Sequence, residues 1–325
     1  MTRVRWHRPL IALAALMVIL AVASVVGVVI DDRTVTGANV WLKPLKFALS
    51  ITIYSVTLAW MIGQLGRFRR IAWAAGTVIV VALLLEMVVI VGSALLGETS
   101  HFNVSTPLHV TAWAAMAISI VVVWMMTLLL AGALFFTSLG DAARNLAVRA
   151  GAILALIGMA IAFFMVGPTE AQLADYNGIV GAHTVGLADG GPGLPLVGWS
   201  TVAGDLRVPH FIGMHALQAL PLGVIVLELL AGRSGRLPRI LASSTVRFRL
   251  VLIATVAYAA TIAVLTVQAL AGQSVIAPAG PILLAGTAIA VAAAISAVLV
   301  LVVGRNTTAT PNSPAPLRLR WADRN

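Results

Sequence analysis

Residues 71–96 read IAWAAGTVIVVALLLEMVVIVGSALL, a run in which Glu86 is the only ionisable side chain. At about 1.5 Å per residue, a helix of this length crosses about 30 Å of hydrocarbon with residues to spare. Hydrocarbon offers no partner to a free backbone N–H or C=O, and the run lacks the period-two alternation of a barrel strand. It must therefore cross as a helix. Working outward, comparable apolar stretches occupy 9–30, 44–65, 110–136, 150–166, 209–231, 250–271 and 279–303, which makes eight.

Composition agrees with this reading. The chain has 325 residues, 60% of them hydrophobic and only 10% charged, where a soluble domain carries about a quarter charged residues. The predicted fold class is all-α, a polytopic transmembrane bundle of about eight helices. It forms one domain over 1–304, followed by a basic, Pro-containing tail over 305–325 expected to be disordered in the cytoplasm. The N-terminal MTRVRWHR has the charge of a signal peptide, but the apolar stretch after it is too long for one, so an uncleaved first helix is expected.

Lysine and arginine set the orientation. With the N-terminus inside, seventeen basic residues fall on the inner side and only Arg33, Lys43, Lys46 and Arg207 on the outer, which predicts both termini in the cytoplasm. The formal charge of +10 invites a polyanion reading, yet the arginines sit in short clusters between apolar runs, without interleaved stacking aromatics. No nucleic-acid partner is expected. The absence of cysteine excludes disulfides and thiolate chemistry. Arginine supplies nearly all positive charge, and with the Ala/Val/Gly bias this points to a GC-rich bacterial genome, hence to the bacterial cytoplasmic membrane.

On this topology the polar residues gather on the outer side. His101, His109, His183, His210 and His215 lie there or in the outer half, as do most acids, below a Gly/Pro-rich connection over 167–208. Loops of that length are often functional, as a lid or as chain folded tightly over the bundle. Glu86 lies within its span, and an intramembrane carboxylate is a functional-site hypothesis by default. Lys43 and Lys46, the only lysines, share a face at the start of the second span and are candidates to hold an anionic group. In RVPHFIGMHALQALPL, His215 and Gln218 share a helix face, whereas His210 and His215 do not. Asp205 and Arg207 stand at the same helix mouth.

The segments WLKPLKF, SHFN, GAHTVGLADGGPGLP and GDLRVPHFIGMHALQ resemble a family of multi-spanning bacterial membrane proteins, over the second to sixth helices. That resemblance implies a membrane helix bundle and brings no activity, substrate or cofactor. Walker A, HExxH and GxSxG signatures are absent.

The leading expectation is a metal- or haem-binding membrane protein acting on a lipid-soluble substrate. Its ligands would be His101, His109, His183, His210 and His215, for haem b or a divalent metal. Glu86 and Asp205 would act as catalytic or proton-carrying groups, while Lys43, Lys46, Arg207 and Gln218 would hold the cofactor or an anionic small molecule. The alternatives are a proton-coupled transporter using Glu86, and a non-catalytic assembly or sensor protein.

Overall fold

The computed structural model describes residues 6–308, with side chains to Arg305. The chain is helical throughout the apolar runs. Helices α1 (Arg8–Ile30), α2 (Leu42–Gln64), α3 (Arg69–Leu96) and α4 (Pro107–Phe135) are followed by α5 (Ala142–Ala160), which continues as a 3-10 turn over Ile161–Met165. A short α6 (Glu170–Ala174) opens the long connection. Then come α7 (Arg207–Met214), α8 (Ala216–Ala231), a short α9 (Arg236–Leu241), α10 (Ser244–Leu270) and α11 (Gly280–Thr308). Seven of these elements are long and apolar enough to cross a membrane, counting α5 with its extension, and α7 with α8 makes an eighth span broken by a 42° bend. The chain is a multi-pass membrane protein. The tail expected from Arg305 is helical through Thr308, and its remainder lies outside the described residues.

Local sequence explains the ends. Thr106 caps α4 by accepting from the His109 N–H, with Pro107 in the first turn. Asp141 caps α5 in the same way, which starts that helix eight residues before the apolar run at 150. At α1 the cap is His7, fully buried. Its Nδ1 accepts from the Leu10 N–H, which fixes the tautomer, so Nε2–H donates to the Trp73 carbonyl at 2.9 Å and ties α1 to α3.

Two large apolar cores organise the bundle, beside a small cluster of Ile240, Leu241 and Val246. Leu10, Met17, Leu58, Ile79, Ile90 and Met116 fill the space among α1–α4, where α1 lies along α2 and α3 along α4. Leu154, Ala216, Leu220, Val251 and Ile262 fill a second core among α5, α7, α8 and α10. Helix α11 packs mainly on α10, with a lesser contact on α9.

At Gly158 and Gly213, α5 and α7 touch backbone to backbone. A Cβ on Gly158 would stand 2.3 Å from the Gly213 carbonyl carbon, so no larger residue fits without separating the helices. The bend between α7 and α8 falls at His215, two residues beyond this crossing. The Tyr258 hydroxyl of α10 donates to the Ile212 carbonyl at 2.6 Å, meeting the hydrogen-bond need of backbone beside the break.

The connection between α5 and α7 is a folded roof. Strands β3 (Thr184–Val185) and β4 (Gly204–Asp205) pair antiparallel within it; β1 (Thr34–Val35) and β2 (Ala38–Asn39) make a hairpin between α1 and α2. The roof is stitched to the α3–α4 connection by Val104 N–H to Gly178 O and Val180 N–H to Phe102 O, each 2.8 Å. Ser274 Oγ–H donates to Ser200 O at 3.0 Å and ties the roof to the α10–α11 connection.

Candidate functional site

The α3–α4 connection dips below the roof and buries Ser100, Phe102 and Asn103. It carries His101 down onto Glu86 of α3. Glu86 is 1% exposed, and neither of its carboxylate oxygens has a hydrogen-bond partner among the described residues. His101 Nε2 approaches Oε1 to 3.7 Å, an ion-pair distance beyond hydrogen-bond length. The imidazole is boxed by Phe47 of α2, Phe102 and Trp113 of α4, with ring centroids 5.7, 6.1 and 5.4 Å away. Burial, reinforced by the charge of Lys43 and by His183, holds His101 well below the ordinary imidazole value. The ring is neutral.

Behind Phe102 stands His183 of the roof, 4.9 Å between centroids. Its Nδ1–H donates to Asp189 at 2.6 Å, and Asp189 also accepts from the backbone N–H groups of His183 and Thr184. Burial works to raise Asp189, yet these donors outweigh it and keep the carboxyl below its usual range. Burial lowers His183 despite the partner, so the pair is a neutral imidazole donating to a carboxylate.

Asp205 and Arg207 form the second anchor. The Asp205 carboxylate is fully buried and accepts from Ser200 N–H (2.8 Å), Arg207 N–H (3.0 Å), Arg207 Nε (2.9 Å) and Arg207 Nη2 (2.6 Å). Arg207 Nη2 also donates to Gly198 O. Every acceptor on Asp205 is engaged in shaping the roof, so the geometry gives it a positioning role where the sequence suggested a proton carrier. Lys46 Nζ donates to Val197 O at 3.1 Å from the other side. Lys43, one turn earlier on α2, lies within electrostatic reach of Glu86, Lys46, Arg207 and Asp189.

The structure thus gathers Glu86, Lys43, Lys46, His101, His183, Asp205 and Arg207 at one face of the bundle. It does not gather the five histidines into a common centre. His109, in the first turn of α4, bonds Glu98 of the preceding connection at 2.7 Å. His210 Nδ1–H donates to Gly158 O at 2.8 Å, and His215 Nδ1 faces Gln218 Oε1 at 3.3 Å across the bend, the shared face expected of that pair. Among the described residues no three His or acidic side chains approach as ligands of one metal ion. The five histidines therefore form no common metal centre among the described residues: His109, His183, His210 and His215 each hydrogen-bond a different partner, and His101 lies against Glu86.

Asp189, the Phe47/Phe102/Trp113 box and Gly198 were not singled out in the sequence. Phe102 adjoins His101 in SHFN, but nothing in the order of residues says that Phe47 and Trp113 close around the same ring. Fold and site together define a multi-pass membrane protein with a roofed, buried cluster of opposite charges. No protein-family model, curated protein or solved structure matches the chain.

Proposed function

We propose that this protein is a proton-coupled carrier of the bacterial cytoplasmic membrane. Its termini lie in the cytoplasm, its roofed face is outward, and Glu86 is the group that takes up and releases the coupled proton. The observation that carries the reading is the state of Glu86: a carboxyl buried inside a span, both oxygens unpartnered, with the His101 imidazole 3.7 Å away and Lys43 within electrostatic reach. A buried carboxylate without donors is costly. The group relieves that cost by binding a proton or by gaining a partner, which is the behaviour a coupling site needs. The broken α7–α8 span, with His215 and Gln218 at its bend, supplies the discontinuous helix on which carriers commonly build a solute path.

The test needs no knowledge of the solute. Infrared difference spectra of the protein in lipid films, recorded between about pH 5 and about pH 9, should show a protonated-carboxyl band that Glu86→Gln removes while the variant still inserts and keeps its melting temperature. A spectrum unchanged by Glu86→Gln over that range overturns the proposal.

A further inference from the structure

At the end of the bundle away from the roof, α9 and the last turns of α11 enclose a groove of about 360 Å³. That volume lies within the range of about 300–1,000 Å³ usual for small-molecule sites. Arg236 of α9 and Arg305 of α11 line it together with apolar residues of both helices, Leu237 and Ile240 on one side and Leu301 and Val302 on the other. The groove has a packed floor, because Ile240 and Leu301 belong to the small core around Val246. A Cβ on Gly304 would stand 2.8 Å from Val246 Cγ2 and 3.1 Å from Ile240 Cγ2, so the bare glycine lets α11 lie directly on α9 and α10.

Charge and surface together say what belongs there. Residues 229–322 contain no Asp or Glu, while Arg233, Arg236 and Arg239 crowd into 233–239 and are exposed. The acids of the neighbouring elements are engaged elsewhere, Glu228 with Arg144 and Asp141 with Arg247. A single arginine at a helix end commonly snorkels to the interface and needs no ligand. Here guanidinium groups from two separate elements line one apolar groove. Leu237 and Val302 are exposed along it, and α11 is itself a candidate membrane span, so the groove opens toward hydrocarbon. Its occupant is therefore anionic at one end and apolar at the other.

We propose that the groove between α9 and α11 seats one anionic phospholipid, its phosphate held by Arg236 and Arg305 and the start of an acyl chain laid over Leu237, Leu301 and Val302. The planar guanidinium matches phosphate oxygens in pairs, which gives the headgroup a direction as well as a charge. The seat is independent of the carrier reading. On the orientation proposed above it lies in the cytoplasmic leaflet, where basic segments meet acidic lipids.

The experiment is native mass spectrometry of the purified full-length protein, titrated with phosphatidylglycerol or with phosphatidylcholine of the same acyl chains. Phosphatidylglycerol should bind at least about tenfold more tightly. Arg236→Gln and Arg305→Gln should each weaken it about fivefold, which is about 1 kcal/mol, and leave phosphatidylcholine unchanged. Val302→Trp, at an exposed wall position, fills the groove without altering charge and should weaken phosphatidylglycerol as well. Arg70→Gln, an exposed arginine in the first turn of α3 and outside the groove, should have no effect.

Equal affinity for the two lipids overturns the proposal. So does wild-type affinity retained in both Arg236→Gln and Arg305→Gln; both side chains are exposed, so neither change opens the core. An Arg70→Gln loss as large as that of Arg236→Gln assigns the binding to diffuse surface charge and overturns the seat. Displacement of phosphatidylglycerol by millimolar inorganic phosphate overturns the lipid as occupant, in favour of a free anion. None of these readouts involves Glu86, so the seat and the carrier reading fail separately.

Discussion

Replacing Asp205 by alanine should release the roof without unfolding the bundle. The carboxylate is fully buried and accepts four groups: the Ser200 and Arg207 amides and two guanidinium nitrogens. Removing one partner of a buried ion pair costs about 3–5 kcal/mol, because the other charge stays behind unpaired. The Arg207 side chain is 29% exposed and regains some water, which places the cost at the lower end, about 3 kcal/mol. At about 1.4 kcal/mol per decade, this corresponds to about a hundredfold more frequent opening. Hydrogen exchange read by mass spectrometry should therefore quicken about a hundredfold over residues 183–206, with amides of α1–α4 unchanged. Roof exchange within about threefold of wild type would mean that the latch contributes less than about 0.7 kcal/mol, and would refute the assignment.

Two further outcomes follow from the geometry. Because burial holds His101 below its unfolded value near 6.5, the open or unfolded state binds more protons below that pH. Stability of the dipping connection is complete above about pH 6.5 and falls as pH drops, by up to about tenfold in the opening equilibrium per pH unit. Protection factors of residues 98–106, each referred to the intrinsic amide rate at that pH, should show this slope, and His101→Gln should flatten it; wild-type protection constant between about pH 7.5 and about pH 5.5 would contradict the argument. Gly158→Ala drives a methyl into the Gly213 backbone, and should cost about 1–3 kcal/mol in thermal unfolding while displacing His210; an unchanged melting temperature would refute it.

The spans were legible because membrane solvation writes them into composition, and a stretch such as 71–96 has one way to be satisfied. The interruption of the sixth was not. Pro221 is the visible helix-breaker in that segment, yet the bend lies six residues earlier at His215. There the Gly158 crossing and the Tyr258 hydroxyl, both supplied by other helices, determine where backbone can part. The early start of α5 did carry a signal, since Asp141 is an N-cap residue type placed before a helical run, but the apolar count began only at 150.

In the site, Glu86 announced itself by its cost, and Lys43 and Lys46 by being the only lysines. Which histidines meet was hidden, because the meeting is made by a connection that dips and a roof that folds over it. His183 and Asp189 are six residues apart in a Gly-rich turn, and only the fold reveals that the turn closes on itself.

The contact of Gly158 with Gly213 has a mechanical consequence. Most helix crossings interlock side chains, so sliding one element over another requires many rotamers to change in concert. Here two bare backbones bear on each other, and one polar link, His210 Nδ1–H to the Gly158 carbonyl, pins the crossing. The same short helix, α7, carries Arg207 into the cluster. Any shift of α7 over α5 would therefore have to break that single link, and would move Arg207 and the roof bound to it.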